Sequence, residues 1–165
     1  MYSLNVPVPG SVRRLANDLA PRLTAFDRVR DRHSLVVKRF EGERDHHALR
    51  ERLRTVLRGA PAFELRIAGV DAFETPLRGP GPVVYLAVES PGLRALHERL
   101  VEAFGAVEDL EGDEYVPHVT LARGGDVDDP AAVVGDVEPV TWTASSLDLW
   151  DAQYRETVAS IPLPA

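Results

Sequence analysis

The apolar residues of this chain change period repeatedly, from two to about 3.6 and back, and no other feature limits its fold so tightly. Stretches at residues 2–8, 32–40, 63–73, 83–89, 116–123, 141–150 and 157–163 read as strands. Three helices interrupt them. Val12, Leu15 and Leu19 recur at helical spacing behind Ser11, and Pro21 ends or kinks that segment. Leu49, Leu53, Val56 and Leu57 form a second stripe behind Asp45, which Gly59-Ala60-Pro61 stops. Leu93, Leu96, Leu100 and Phe104 mark the third, with Ser90 as its cap, Pro91 at its first position and Gly105 beyond its end. Residues 83–89 are almost uninterruptedly apolar, as in a strand covered on both faces, and residues 63–73 before them read as a strand pair or as one long bent strand with a bulge at Gly69. The order is approximately β-α-β-α-β-β-α-β-β-β, which predicts an α+β fold with helices packed on curved sheets.

At 165 residues folding can bury roughly 70% of the surface an unfolded chain exposes, so a single domain spanning 1–165 completes its core without a disulfide or a metal. The chain has no cysteine, which excludes thiol nucleophiles, thiolate zinc sites and iron–sulfur clusters. With 26 acidic against 19 basic residues the formal charge is −7. Broad gripping of long duplex nucleic acid is therefore disfavoured, because that binding grows with the number of phosphates neutralised. A short anion in a locally basic cleft stays open. Lys38 is the single lysine, and every other basic residue in that count is an arginine, whose planar fork holds phosphate bidentately. No basic leader precedes an apolar run, and no stretch approaches the roughly 18–20 apolar residues of a membrane span. The expectation is a cytoplasmic monomer with no membrane partner.

The sharpest local signal is Val116-Pro117-His118-Val119-Thr120-Leu121-Ala122-Arg123. Residues two apart on a strand point the same way, so His118 and Thr120 share one face while Val119 and Leu121 enter the core. An imidazole can exchange a proton near neutral pH, and a hydroxyl two residues on can donate to a phosphate oxygen. A coarse duplication strengthens the signal: strand, helix, then a strand led by histidine occurs around His33 and again around His118.

These two His-led strands, with Val83-Val84-Tyr85-Leu86-Ala87-Val88-Glu89 and the leucine-rich helix after it, resemble the 2H phosphoesterase superfamily, particularly its 2′-5′ RNA ligase and cyclic phosphodiesterase branch. The resemblance implies a bilobal, pseudo-twofold fold with antiparallel sheets lining a central cleft and helices outside. It implies a phosphoesterase without metal or redox cofactor, acting on 2′,3′-cyclic phosphate or 2′-5′ phosphodiester ends of nucleotides or RNA. His33 and His118 would be general acid and base in either order, and Thr120 would hold the phosphate.

The first motif departs from the pattern. It reads His33-Ser34-Leu35-Val36, so in a regular strand Ser34 faces away from His33 and Leu35 takes the phosphate-binding position. A bulge at Ser34, or Arg39, which shares parity with His33, could restore the contact. Otherwise the chain is an RNA or nucleotide-phosphate binding module without turnover. Arg123 falls on the opposite face of an ideal strand from His118, with a phosphate contact and a surface ion pair as equal alternatives, and Lys38 is weighed alike. Among Tyr85, Tyr115, Trp142 and Trp150, Tyr115 is the best placed to stack on a base, although core packing is the commoner fate of an aromatic. His46-His47 reads as a solvated helix start, His97 as a structural histidine, and residues 108–114 as a solvated acidic loop.

Overall fold

The computed structural model describes all 165 residues. Its strands are β1 (Tyr2–Val6), β2 (Arg28–Val29), β3 (Leu35–Phe40), β4 (Phe63–Phe73), β5 (Val83–Glu89), β6 (His118–Arg123), β7 (Val140–Ala144), β8 (Ser146–Asp151) and β9 (Glu156–Pro162). Three helices, α1 (Gly10–Leu19), α2 (His46–Val56) and α3 (Pro91–Phe104), interrupt them. The caps of α2 and α3 act as the sequence predicts, but Ser11 does not cap α1: that helix begins at Gly10 behind Pro9, so Ser11 lies inside its first turn and no side chain caps its start. Asp45 accepts the N–H groups of His47 and Ala48, Ser90 Oγ accepts that of Leu93, and Gly105 at φ 79° ends α3 in a conformation that a side chain disfavours. Pro21 does not stop the first helix abruptly but carries it into a 3₁₀ turn, Ala20–Leu23.

All nine strands join one antiparallel sheet, ordered β7-β4-β5-β6-β3-β1-β8-β9, with β2 beside β6. Along that order four strands lie on each side of the β6–β3 junction, and strand–helix–strand units, β1-α1-β3 and β5-α3-β6, meet there as the coarse duplication predicts, except that β6 begins at His118 whereas β3 begins at Leu35 and leaves His33 ahead of it. Residues 141–150, expected as one strand, are two. The chain leaves β7, paired with β4, and at Ser145 crosses to β8, paired with β1. The core lies between sheet and helices: α3 sets Leu93, Leu96 and Leu100 against sheet residues including Leu35, Val37, Val119 and Leu121, all with 6% exposure or less. Each such leucine or valine contributes roughly 1.5–3 kcal/mol through burial.

Two bulges decide which residues reach the other face. Against β1, Lys38 pairs with Leu4 and Val36 with Asn5, leaving Val37 as an extra residue of β3. Against β5, Ala122 pairs with Val84 and Thr120 with Tyr85, leaving Leu121 as an extra residue of β6. Each bulge reverses the alternation beyond it. Because Leu35 pairs with Val119 across the junction, the halves mirror one another: Ser34 matches His118, Val36 matches Thr120, Val37 matches Leu121 and Arg39 matches Arg123.

Candidate active site

The site forms where those mirrored strands meet. On β6, His118 and Thr120 alternate with buried Val119 and Leu121, and the bulge turns Arg123 onto their face. On β3 the matching bulge turns Arg39 to join Val36, and ahead of it Arg30, Arg32 and Ser34 point the same way. These side chains enclose a cavity of ≈ 180 Å³ in which four guanidinium groups, one imidazole and two hydroxyls converge with no carboxylate among them. The charge balance of the whole chain is thus reversed locally. Burial first, and then repulsion from Arg30 and Arg28, holds Arg123 below the ordinary arginine range. Burial does the same to Arg39, with repulsion from Arg78 adding to it and Glu111 opposing it. Nε of both Arg30 and Arg123 is buried without a partner, an arrangement that an anion would satisfy.

His118 is half-buried at the edge of this cavity. Its Nδ1 lies 2.6 Å from the Val116 carbonyl oxygen. A carbonyl only accepts, so Nδ1 carries the hydrogen and Nε2 keeps its lone pair in the neutral ring. Burial lowers the His118 pKa below the usual histidine value; the bond to Val116 opposes this, and Arg39 and Arg123 reinforce it. The ring stands edge-on to Phe73, at 5.5 Å, and to Tyr85, at 5.3 Å, which stack on each other. Burial, then Asp71, pushes the Tyr85 phenol up to about 12, so it stays neutral beside the imidazole.

A second cavity, ≈ 270 Å³, continues from the first and shares Val36, Arg39, His118 and Arg123 with it. Its far walls are mainly apolar, with Phe73, Pro76, Leu77, Val83 and Val116, although Arg78, Asp109 and Glu114 also line it. An apolar slot opening from a cationic pocket suits a flat heterocycle attached to a phosphate.

The model of the 2′-5′ RNA ligase superfamily matches residues 34–155, well over half of the chain. The chain belongs to the 2′-5′ RNA ligase superfamily. Solved structures agree in fold. TT0787 of Thermus thermophilus superposes with a TM-score of 0.68 at 22% identity, covering 98% of this chain and 97% of that one. LigT of E. coli complexed with 3′-AMP does so with a TM-score of 0.65 at 20% identity, over 99% and 98% of the two chains. LigT complexed with phosphate gives 0.63 at 18% identity, over 99% and 97%. Among curated proteins, no sequence matches significantly. The 2H phosphoesterase resemblance is thereby established at the level of family and fold.

Within this superfamily fold the expected residues separate. His118, Thr120, Arg39 and Arg123 line one cleft, the two arginines because of bulges that an ideal strand lacks. The structure does not bring His33 to it. His33 lines a different cavity with Asn5, Arg13, Asp31 and Asp148, because the mirrored register puts Ser34 opposite His118. The extra residue lies at Val37 rather than Ser34, and it aligns Arg39 with Ser34 and Val36 instead of with His33.

Tyr115, expected as a base-stacking platform, borders the apolar slot but is already engaged. It is 5% exposed, its ring stacks on His97 at 3.8 Å, and its hydroxyl donates to the Val36 carbonyl at 2.7 Å. Lys38 points to the core side and pairs with Glu111 at 2.8 Å, so the acidic loop is not wholly solvated. His97 is structural, as expected: Nδ1–H donates to the Val37 carbonyl and Nε2 accepts from Gly112 N–H.

Arg30, Arg32 and Phe73 were not anticipated. The signal for the arginines was available in Arg28-x-Arg30-x-Arg32-x-Ser34, a period-two run that places every member on one face if extended. No helix of the chain is long and apolar enough to cross a membrane.

Proposed function

We propose that the cleft binds the phosphate of a nucleotide or RNA end and hydrolyses a 2′,3′-cyclic phosphate or 2′-5′ phosphodiester there, with His118 as the proton-transferring group. The supporting observation is the convergence of His118 with Arg30, Arg32, Arg39 and Arg123 around one small cavity. Neutral His118, held as the Nδ1–H tautomer, takes a proton at Nε2 from the attacking water as that oxygen bonds to phosphorus. The bond from phosphorus to the leaving ribose oxygen breaks, and that oxygen is protonated from solvent. The His118 proton then returns to water. The guanidinium groups, Thr120 and Ser34 hold the phosphoryl oxygens and neutralise the charge that grows on them. They supply the positive charge that a metal would otherwise bring, so turnover proceeds with chelator present.

A second reading has an observation in its favour. Ser34, not histidine, stands at the position mirroring His118, so the cleft lacks a second imidazole to protonate the leaving oxygen. That favours a nucleotide-phosphate binding module. The two are separated by incubating the protein with chelator and 2′,3′-cyclic nucleotides or oligonucleotides bearing that end. Turnover that falls about 10²- to 10⁴-fold in His118→Ala and persists in His33→Ala supports the hydrolase. Binding without turnover supports the module. Equal losses in both variants would mean that His33 enters the reaction, contrary to the assignment made here.

A further inference from the structure

A third cavity, ≈ 370 Å³, lies beside the cationic one and has no part in the chemistry above. Its volume falls within the ~300–1,000 Å³ usual for small-molecule sites. Arg32 and Ser34 line both cavities, so a phosphate held in the cleft sits against the partition. That partition is anchored, since the Arg32 guanidinium lies 3.4 Å above the Trp150 ring. The floor is polar. Asn5 and Asp148 are opposite one another in the β1–β8 register, which brings their side chains together on one face. Asn5 is 8% exposed, and its side-chain oxygen is buried with no hydrogen-bond partner. None of the ion pairs of the chain involves Asp148, Asp31, Arg13 or His33, although all four line this cavity.

The cationic cleft is therefore flanked by two compartments, the apolar slot joined to it through Arg39, His118 and Arg123 and this polar cavity joined through Arg32 and Ser34. A mononucleotide fills the cleft and one flank. A phosphate esterified to two nucleosides fills all three. Resting on the phosphoester reading above, we infer that the Asn5–Asp148 cavity is the subsite for a second nucleoside, so that the preferred substrate is a diester joining two nucleosides. The adjacent oxygens of Asn5 and Asp148 accept hydrogen bonds, which selects a base carrying an exocyclic amino group, and His33 and Arg13 offer donors from the other side. His33 is thus assigned to recognition.

Calorimetric titration of the full chain with three probes tests the inference: 2′-5′-linked ApA, 2′-5′-linked UpU and AMP. ApA is expected to bind on the order of tenfold more tightly than UpU or AMP, a factor in keeping with one or two net hydrogen bonds. Asn5→Ala and Asp148→Asn should each remove most of that advantage and leave the affinity for inorganic phosphate unchanged. Asp148→Asn alters no volume and serves where Asn5→Ala disturbs the strand, with unchanged melting as the control. Equal affinity for ApA and UpU, or an ApA advantage that survives both substitutions, overturns the second-nucleoside subsite. If AMP binds and ApA gains nothing, this inference fails alone. If neither AMP nor inorganic phosphate binds, the phosphoester reading fails with it.

Discussion

Arg39 reaches the cleft because β3 carries an extra residue, and the side chains behind the strand hold that irregularity in place. Lys38 and Glu111 are 2% and 1% exposed at 2.8 Å separation, and a Glu111 oxygen also accepts the Arg39 backbone N–H at 3.2 Å. Lys38→Met leaves the carboxylate buried with that N–H as its remaining hydrogen bond. Removing one member of such a pair costs about 3–5 kcal/mol, a large part of the roughly 5–15 kcal/mol that stabilises a domain. Replacing both partners with apolar side chains, Lys38→Met with Glu111→Leu, avoids an unpaired charge and is expected to restore most of the loss. It also removes the bond to Arg39 N–H, which the single variant keeps, so the strand loses a clamp next to an arginine that lines the cleft. Urea unfolding at pH 7 should therefore separate the single from the double variant, while phosphate affinity falls by roughly three- to tenfold in the double variant alone, the worth of one hydrogen bond. A single variant less than about 1 kcal/mol below the parent would refute the buried-pair argument. A double variant that retains full phosphate affinity would refute the claim that Glu111 positions Arg39.

Other consequences follow from the same geometry. With one imidazole in the cleft, the rate of cyclic-phosphate opening should rise with pH through a single limb below about 6.5, since burial and two arginines lower the His118 pKa, and then level off; a bell-shaped profile would implicate a second titrating group. His97 is depressed below its ordinary value chiefly by burial, and its protonation would set an N–H against the Gly112 N–H. Its stabilising contribution is complete above the unfolded-state value of about 6.5 and is lost as pH falls below it, so urea midpoints measured from pH 8 to pH 5 should decline in that window and flatten in His97→Gln. Tyr115→Phe removes the bond to the Val36 carbonyl and should cost about 1 kcal/mol without abolishing base binding; nucleotide affinity lost in Tyr115→Leu, which removes the ring, with phosphate affinity intact would restore Tyr115 as a stacking platform. Arg123→Lys keeps the charge but not the planar fork, and a phosphate Kd unchanged within twofold would argue against its direct contact.

How far the site could be read from sequence turns on a one-residue question. Hydrophobic period, caps and the repeated strand–helix–strand unit identify the lobes because each depends on neighbours within a turn or two of chain. The face to which a β-strand side chain points depends on register, and a single extra residue inverts it. Val37 and Leu121 are ordinary apolar residues in apolar runs, so nothing local marks them as bulges; the irregularity appears only against Leu4–Asn5 and Val84–Tyr85 in distant strands. That is why Arg123 and Arg39 could not be assigned to the face of His118 from spacing. It is also why His33 looked like the mirror of His118. The pairing of Leu35 with Val119 moves the mirror position to Ser34, with no imidazole to offer. A serine there can hold a phosphoryl oxygen, but its hydroxyl cannot exchange a proton near neutral pH as an imidazole can. The two halves therefore share one geometry, with an arginine behind a bulge in each, while only one of them brings an imidazole to the cleft. Placing histidine at the mirror site tests whether that asymmetry limits the chemistry. With Ser34→His and His33→Ser together, the composition is unchanged and the second imidazole faces the cleft, so turnover of a cyclic nucleotide should rise by about 10-fold or more, toward the ~10²–10⁴ that a positioned proton donor contributes. A rate no higher than the parent, with phosphate affinity retained, would show that leaving-group protonation is not what this cleft lacks.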